Sequence, residues 1–193
     1  MSASSVVFAA VIAAELLLIA SIVASIVRPA WRIWPPGARD WRFWWSWGLL
    51  KAALVGAIVL AWLDRGTFVF DHWGWKVAGV ALFVVAEGLN EWAVRSVRRP
   101  ASWGLEAELS TAGPYRWTRN PQYLLQSAMV VAVVLVSNSA LTAIAGGVGI
   151  AALLLAPFAE EKWLEETYGE AYREYRRRTP RFLGRRREGR GGS

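Results

Sequence analysis

The chain has 193 residues, 55% of them hydrophobic and 19% charged, and a formal net charge of +7. It contains no cysteine, which excludes disulfides, thiolate chemistry and cysteine-based metal sites, and a single histidine, His72, which removes most histidine catalysis and zinc ligation. No metal site is therefore expected, and the apolar residues gather into long uncharged runs of the kind a membrane helix needs, roughly 20 residues each.

In chain order, the predicted spans cover residues 6–27, 48–63, 77–94, 121–137 and 141–158. The first lacks a positively charged leader and is longer than the apolar core of a cleaved signal peptide, so it reads as a retained span. Pro35-Pro36-Gly37 breaks any helix between the first and second spans. The tryptophans around this break, Trp31, Trp34, Trp41, Trp44, Trp45 and Trp47, read mostly as an interfacial belt. The last two spans are joined by the turn-like Ser137-Asn138-Ser139 and form a tight antiparallel hairpin. The expected fold is an all-α polytopic bundle of about five spans with a cytoplasmic C-terminal helix. It is one membrane domain over 1–193 that ends in a basic flexible tail at 183–193.

Orientation follows from the arginines. The first loop carries Arg28, Arg32, Arg39 and Arg42, and the third carries Arg95, Arg98, Arg99, Arg116 and Arg119. The tail holds nine more from Arg173 to Arg190, while the second loop has one and the fourth has none. This alternation predicts an integral membrane protein with its N-terminus outside and its C-terminus in the cytoplasm. The partners expected are the lipid bilayer and an amphiphilic acceptor, with no nucleic acid.

Carboxylates inside a membrane helix are costly, so each calls for a reason. Glu15 lies in mid-span and either shapes a polar cavity or packs as a protonated or hydrogen-bonded group. Glu87 and Glu91 share a helix face beside Asn90 and read as an interfacial end paired with arginines, or as part of a site. The segment Leu109–Tyr123, LSTAGPYRWTRNPQY, is a basic aromatic loop bounded by the turns Gly113-Pro114 and Asn120-Pro121. It suits a lipid headgroup as well as a catalytic site. After the fifth span come Glu160 and Glu161, then Leu164, Tyr168, Tyr172 and Tyr175 on one helical face, with Gly169 a potential interruption. The alternative for the arginine-rich stretch beyond is an amphipathic helix lying on anionic lipid.

Together these two elements resemble the C-terminal half of the isoprenylcysteine carboxyl methyltransferase and phospholipid N-methyltransferase superfamily. That family carries a G-x-Y-x-x-x-R-H-P-x-Y loop, a helical hairpin, then Glu-Glu-x-x-L and F-G-x-x-Y-x-x-Y. The matching residues are Gly113, Tyr115, Arg119, Pro121 and Tyr123, then Glu160, Glu161, Leu164, Gly169, Tyr172 and Tyr175, with Tyr168 at the phenylalanine position. The resemblance spans about Leu105 to Phe182. It implies S-adenosylmethionine-dependent methyl transfer to an amphiphilic, membrane-resident acceptor, with a cofactor-binding half at 105–182. It implies cofactor contacts from Ala107, Glu108, Leu109, Ser110, Gly113, Tyr115, Arg116, Asn120, Pro121, Gln122, Tyr123, Glu160 and Tyr172, and catalytic candidates in Glu160, Glu161 and Arg119.

Two positions depart from the family pattern. Its histidine before the proline is Asn120, which keeps a hydrogen bond but is no base near neutral pH. The carboxyl methyltransferase branch places an arginine one turn before the glutamate pair, where this chain has Ala156. A prenylcysteine carboxylate is therefore not the expected acceptor; an amine or hydroxyl lipid is. The alternatives are a membrane reductase of related C-terminal fold using a nicotinamide cofactor, and a non-enzymatic membrane protein.

Overall fold

The computed structural model describes residues 2–69 and 72–184, without the side chains of 98–100. Six α-helices follow in order: α1 Ala3–Val27, α2 Trp41–Leu63, α3 Trp73–Ser102, α4 Pro121–Ser137, α5 Ala140–Tyr168 and α6 Glu170–Arg178. Four of them, α1, α2, α3 and α5, are long and apolar enough to cross a membrane, and α4 is a shorter apolar helix of 17 residues. Of the tail expected at 183–193, residues 185–193 lie outside the described residues, as does Asp71, and the side chains of Arg98 and Arg99 are likewise not described.

The helices outrun the apolar segments because helical hydrogen bonding does not stop where hydrophobicity does. Asp40 caps α2 by accepting the Arg42 amide at 2.9 Å, so the tryptophan-rich stretch from Trp41 is helical rather than loop. The largest extension is in α5, which continues through Pro157 to Tyr168 rather than ending at 158. At 1.5 Å per residue its 29 residues reach about 43 Å. This exceeds a hydrocarbon core of about 30 Å, so the glutamate pair projects beyond the apolar part of the same helix. Gly169, at φ +54°, then ends α5 and starts α6, as its position in the sequence suggested.

α1 packs on α2 and α5, and α3 packs on α4, which in turn packs on α5. Small residues permit the closest approaches. A Cβ on Gly79 of α3 would lie 2.9 Å from the Ala132 carbonyl oxygen of α4. On Gly149 of α5 it would lie 2.9 Å from Glu15 Oε1 of α1. Glu15 is buried against Gly149, with Oε2 unpartnered among the described residues, and it lines neither the 120 Å³ nor the 710 Å³ cavity of the bundle. It therefore sits in a helix contact, the packing alternative of the two open for it. Glu91 pairs with Arg95 at 3.5 Å, as an interfacial end would.

The first loop is not a free surface segment. Gly37 and Leu105 form a bridge, with Gly37 N–H donating to the Gly104 carbonyl at 2.8 Å and Glu106 N–H to the Gly37 carbonyl at 3.2 Å. Trp31, Trp41, Trp44 and Trp45 are exposed, as a belt requires. Trp34 is not: it is 9% exposed and packs with Ile22, Ala152, Ala156 and Ala159. Its buried place corrects its inclusion in the belt, and the physical reason is the adjacent Pro35 and Pro36, both buried, which turn the loop inward over α5.

Candidate active site

Where the C-terminal ends of α3 and α5 meet the start of α4, a cavity of about 120 Å³ opens. From α4 and the turn before it come Arg119, Asn120, Gln122, Tyr123 and Gln126; from α5, Glu160, Trp163, Leu164 and Tyr168; from α6, Tyr172 and Tyr175. The irregular segment 103–112 supplies Gly104, Leu105, Glu108, Leu109 and Ser110, and Tyr115 comes from a 3-10 turn. Most of the residues singled out in the sequence are thus brought to one place across more than 60 positions of chain.

The others lie beside it. The Ala107 carbonyl accepts the Tyr168 hydroxyl. Pro121 is buried in the first turn of α4 and Arg116 is exposed. Gly113, at φ +56°, packs so tightly on α3 that a Cβ would collide with Ser96 Oγ, so glycine is required there by both conformation and space.

Glu161 lies outside the cavity, and its carboxylate is fully committed. Arg181 donates to it through Nε at 2.7 Å and NH2 at 2.6 Å, and Arg119 NH1 approaches at 2.8 Å. Both Glu161 and Arg119 have side chains under 10% exposed. The bond to Glu161 holds the Arg181 guanidinium above its usual range against the opposing effect of burial. Arg119 NH1 also donates to the Tyr172 hydroxyl at 3.4 Å, while its Nε is buried with no partner.

Asn120, at the family's histidine position, donates from Nδ2 to the Arg181 carbonyl at 3.0 Å. Thr118 Oγ1 donates to the same oxygen at 2.9 Å, and Arg119 N–H to the Pro180 carbonyl at 2.9 Å. Three consecutive residues thus bind the backbone of residues 180–181, and Asn120 serves there as a structural amide.

Glu160 has a different setting. It lines the cavity and accepts the Tyr123 hydroxyl, which in turn accepts Trp34 Nε1–H at 3.2 Å. Gln122 Nε2 donates to the Tyr115 hydroxyl at 2.7 Å, and the Tyr175 hydroxyl donates to the Tyr115 carbonyl at 2.7 Å. Burial raises the pKa of Tyr115, Tyr172 and Tyr175; for Tyr172 the Glu161 charge adds to this and Arg119 partly offsets it. These phenols stay protonated at neutral pH and serve as neutral hydrogen-bonding groups rather than bases.

Sequence reasoning missed Trp34, which reaches the site through tertiary packing, and Gln126. Gln126 had a readable signal: it is a polar residue one turn after Gln122 on an otherwise apolar helix. At Ala156 the structure is decisive about space. Its side chain is 3% exposed within the cluster that includes Ile22 and Trp34, so the place where the carboxyl methyltransferase branch carries an arginine is filled by packed hydrocarbon and indole.

No curated protein and no solved structure matches the chain. The profile of one family, described as phospholipid methyltransferase, matches residues 75–171, half of the chain, from the start of α3 to the first turn of α6. That stretch contains the cavity walls contributed by α3, α4 and α5, and with it the chain belongs to the phospholipid methyltransferase family.

Proposed function

We propose that this protein transfers a methyl group from S-adenosylmethionine to an amphiphilic amine or hydroxyl acceptor held in the bilayer. The observation that carries the reading is the cavity at the end of the apolar helices, where two carboxylates, Glu108 and Glu160, one unsatisfied guanidinium donor and a set of tyrosines converge, most of them within the segment the family profile matches.

The donor set fits the cofactor's chemistry. S-adenosylmethionine supplies an activated methyl on a sulfonium cation, with an amino-acid head and a ribose to be held. Glu160 suits the hydroxyls or the cationic groups, the rings of Tyr115, Tyr168 and Tyr172 suit a cation, and Arg119 Nε is a buried donor still without an acceptor. The cavity of 120 Å³ is smaller than the roughly 300–1,000 Å³ of ligand pockets, so binding requires a wall to move outward. The wall at 106–112, which has no regular structure, is the one to yield.

Methyl transfer to an acceptor is mostly a matter of holding two groups in line and excluding water. The Tyr123 hydroxyl fixes the Glu160 carboxylate by a hydrogen bond, and Trp34 Nε1–H in turn holds that hydroxyl. An amine acceptor must shed a proton, and of the two carboxylates at the cavity Glu160, fixed by the Tyr123 hydroxyl, is the one to accept it. Glu161 acts instead as a positioning residue that holds the Arg181 side chain and Arg119, and Arg119, besides offering Nε to the ligand, holds the Tyr172 hydroxyl through NH1. The proposed orientation, N-terminus outside, gathers the first loop, the third loop and the tail at the cytoplasmic end with the site. A C-terminal reporter active only outside the cell would overturn it.

The deciding experiment is calorimetry of the purified protein with S-adenosylmethionine and NADPH in parallel. It is followed by transfer of labelled methyl to an amine lipid, a hydroxyl lipid and a farnesylcysteine analogue. Binding of S-adenosylmethionine and transfer to the amine or hydroxyl lipid is expected. Binding of NADPH alone, or robust turnover of the farnesylcysteine carboxylate, would refute the reading.

A further inference from the structure

The end of the bundle remote from the candidate site carries a second, larger cavity of about 710 Å³. It exists because α3 packs along α4 while α2 packs on α1, which leaves a groove between α2 and α3 with α4 as its floor. Gly79 brings α3 and α4 close enough to close that floor. The volume lies within the roughly 300–1,000 Å³ of small-molecule sites, although the family chemistry gives the groove no task.

Its lining is divided lengthwise. Ile58 on α2 and Val80, Phe83 and Val84 on α3 form apolar walls, and Lys76 and Arg65 stand at one end. From Lys76 to Val84 the helix rises about 12 Å, the depth of a length of acyl chain below its headgroup. Arg65 is held in place: its guanidinium lies over the Trp62 ring, 4.4 Å from the centroid, and NH1 donates to the Trp62 carbonyl at 2.8 Å. The adjacent carboxylate, Asp64, is turned toward the α4–α5 hairpin, its Oδ2 accepting from Thr67, Ser139 and Leu141 rather than from Arg65. Among the described residues neither Arg65 nor Lys76 has a salt bridge. Exposed Trp62, Trp73 and Trp75 surround this end, as tryptophans do at the headgroup level.

Two cations without a salt bridge among the described residues, above an apolar groove at that level, match a ligand with one anionic head and a hydrocarbon tail. A zwitterionic lipid would bring its own cation toward Arg65 and Lys76 and lose part of the attraction. We propose that this groove binds one anionic phospholipid, its phosphate between Arg65 and Lys76 and an acyl chain between α2 and α3. Methyl transfer is not part of this binding, so the proposal stands or falls apart from the reading of the active site.

The test uses full-length protein in detergent, titrated with phosphatidylglycerol or with phosphatidylcholine of the same acyl chains, and counts retained lipids by native mass spectrometry. The basic end of the bundle can also attract anionic lipid, so the informative quantity is the difference from variants. Wild type is expected to retain one phosphatidylglycerol more than the Arg65→Gln/Lys76→Gln double variant, and to show no such difference with phosphatidylcholine. Val84→Trp, which fills the groove and leaves both cations, is expected to lose the same single lipid. Circular dichroism confirms that each variant is folded. Equal phosphatidylglycerol counts in wild type and both variants, or an equal loss of phosphatidylcholine in the double variant, would overturn the proposal.

Discussion

The two ends of the helical bundle handle their polar groups in opposite ways. At one end, residues 64–68 and 137–141 are stitched together. Gly66 N–H donates to the Ser137 carbonyl at 3.0 Å and Phe68 N–H to the Asn138 carbonyl at 2.9 Å, while Asp64 caps the start of α5 through Ser139 and Leu141. At the other end, Arg119, Glu161 and Arg181 form a buried ionic group, and Glu160, Arg119 Nε and several phenols line a cavity. The hairpin junction at the first end uses its backbone hydrogen-bonding capacity on itself. The second keeps part of its capacity unspent, as a site for a ligand must. A closed end fixes the hairpin of α4 and α5, so that the open end keeps its geometry without filling the cavity.

The sharpest way to break this comparison is at the ionic group. Glu161→Ala leaves the buried Arg119 guanidinium unpaired beside the half-buried Arg181 and should cost about 3 kcal/mol of stability. Denaturant unfolding in detergent measures it, and a variant as stable as wild type would deny the group its structural role. Glu160→Gln should leave folding intact and weaken S-adenosylmethionine binding by about 1.5–3 kcal/mol, the range for a hydrogen bond to a charged group. Calorimetry reads this directly, and unchanged affinity in a folded variant removes Glu160 from the ligand.

At the closed end the effect falls on stability alone. Burial pushes the Asp64 carboxyl up, but its hydrogen bonds from Ser139, Leu141 and Thr67 outweigh this and hold it below its usual range. The group therefore stabilises the fold above the usual carboxylate pKa, and that contribution is lost as pH falls through the depressed folded-state value. Asp64→Asn should cost about 1–2 kcal/mol at neutral pH, with the gap to wild type closing on acidification and S-adenosylmethionine affinity unchanged. A gap that stays constant into strong acid would contradict this account. The smallest expected effect is Trp34→Phe, which removes the indole N–H from Tyr123 while keeping most of the packing. A loss of about 0.5–1.5 kcal/mol in binding through a looser Glu160 is expected, read by the same calorimetry. Equal affinity in wild type and Trp34→Phe would show that Tyr123 alone positions the carboxylate.

Much of this architecture was legible in the chain itself. Long apolar runs specify membrane helices, because an unpaired backbone in hydrocarbon is too costly for any other local structure. Ser137-Asn138-Ser139 specified the hairpin, and Asn138 indeed takes the left-handed conformation, φ 48°, at the end of α4. Gly113, Gly169 and the tyrosines at helical spacing also announced themselves, since turn conformation and helical periodicity are local properties. The lengths of the helices did not follow from apolarity, because hydrogen bonding carries α5 ten residues past residue 158 to Tyr168.

The division of labour between two adjacent glutamates was beyond the sequence. Glu160 and Glu161 are neighbours with the same side chain, and one helical step of about 100° turns the first toward Tyr123 and the cavity and the second toward Arg119 and Arg181. The burial of Trp34 and the contact of the first loop with residues 104–106 likewise depend on partners about 70 to 120 positions away. Composition and periodicity fix what each segment can form alone. Which charge is neutralised, and which is left for a ligand, is set only when distant segments are packed together.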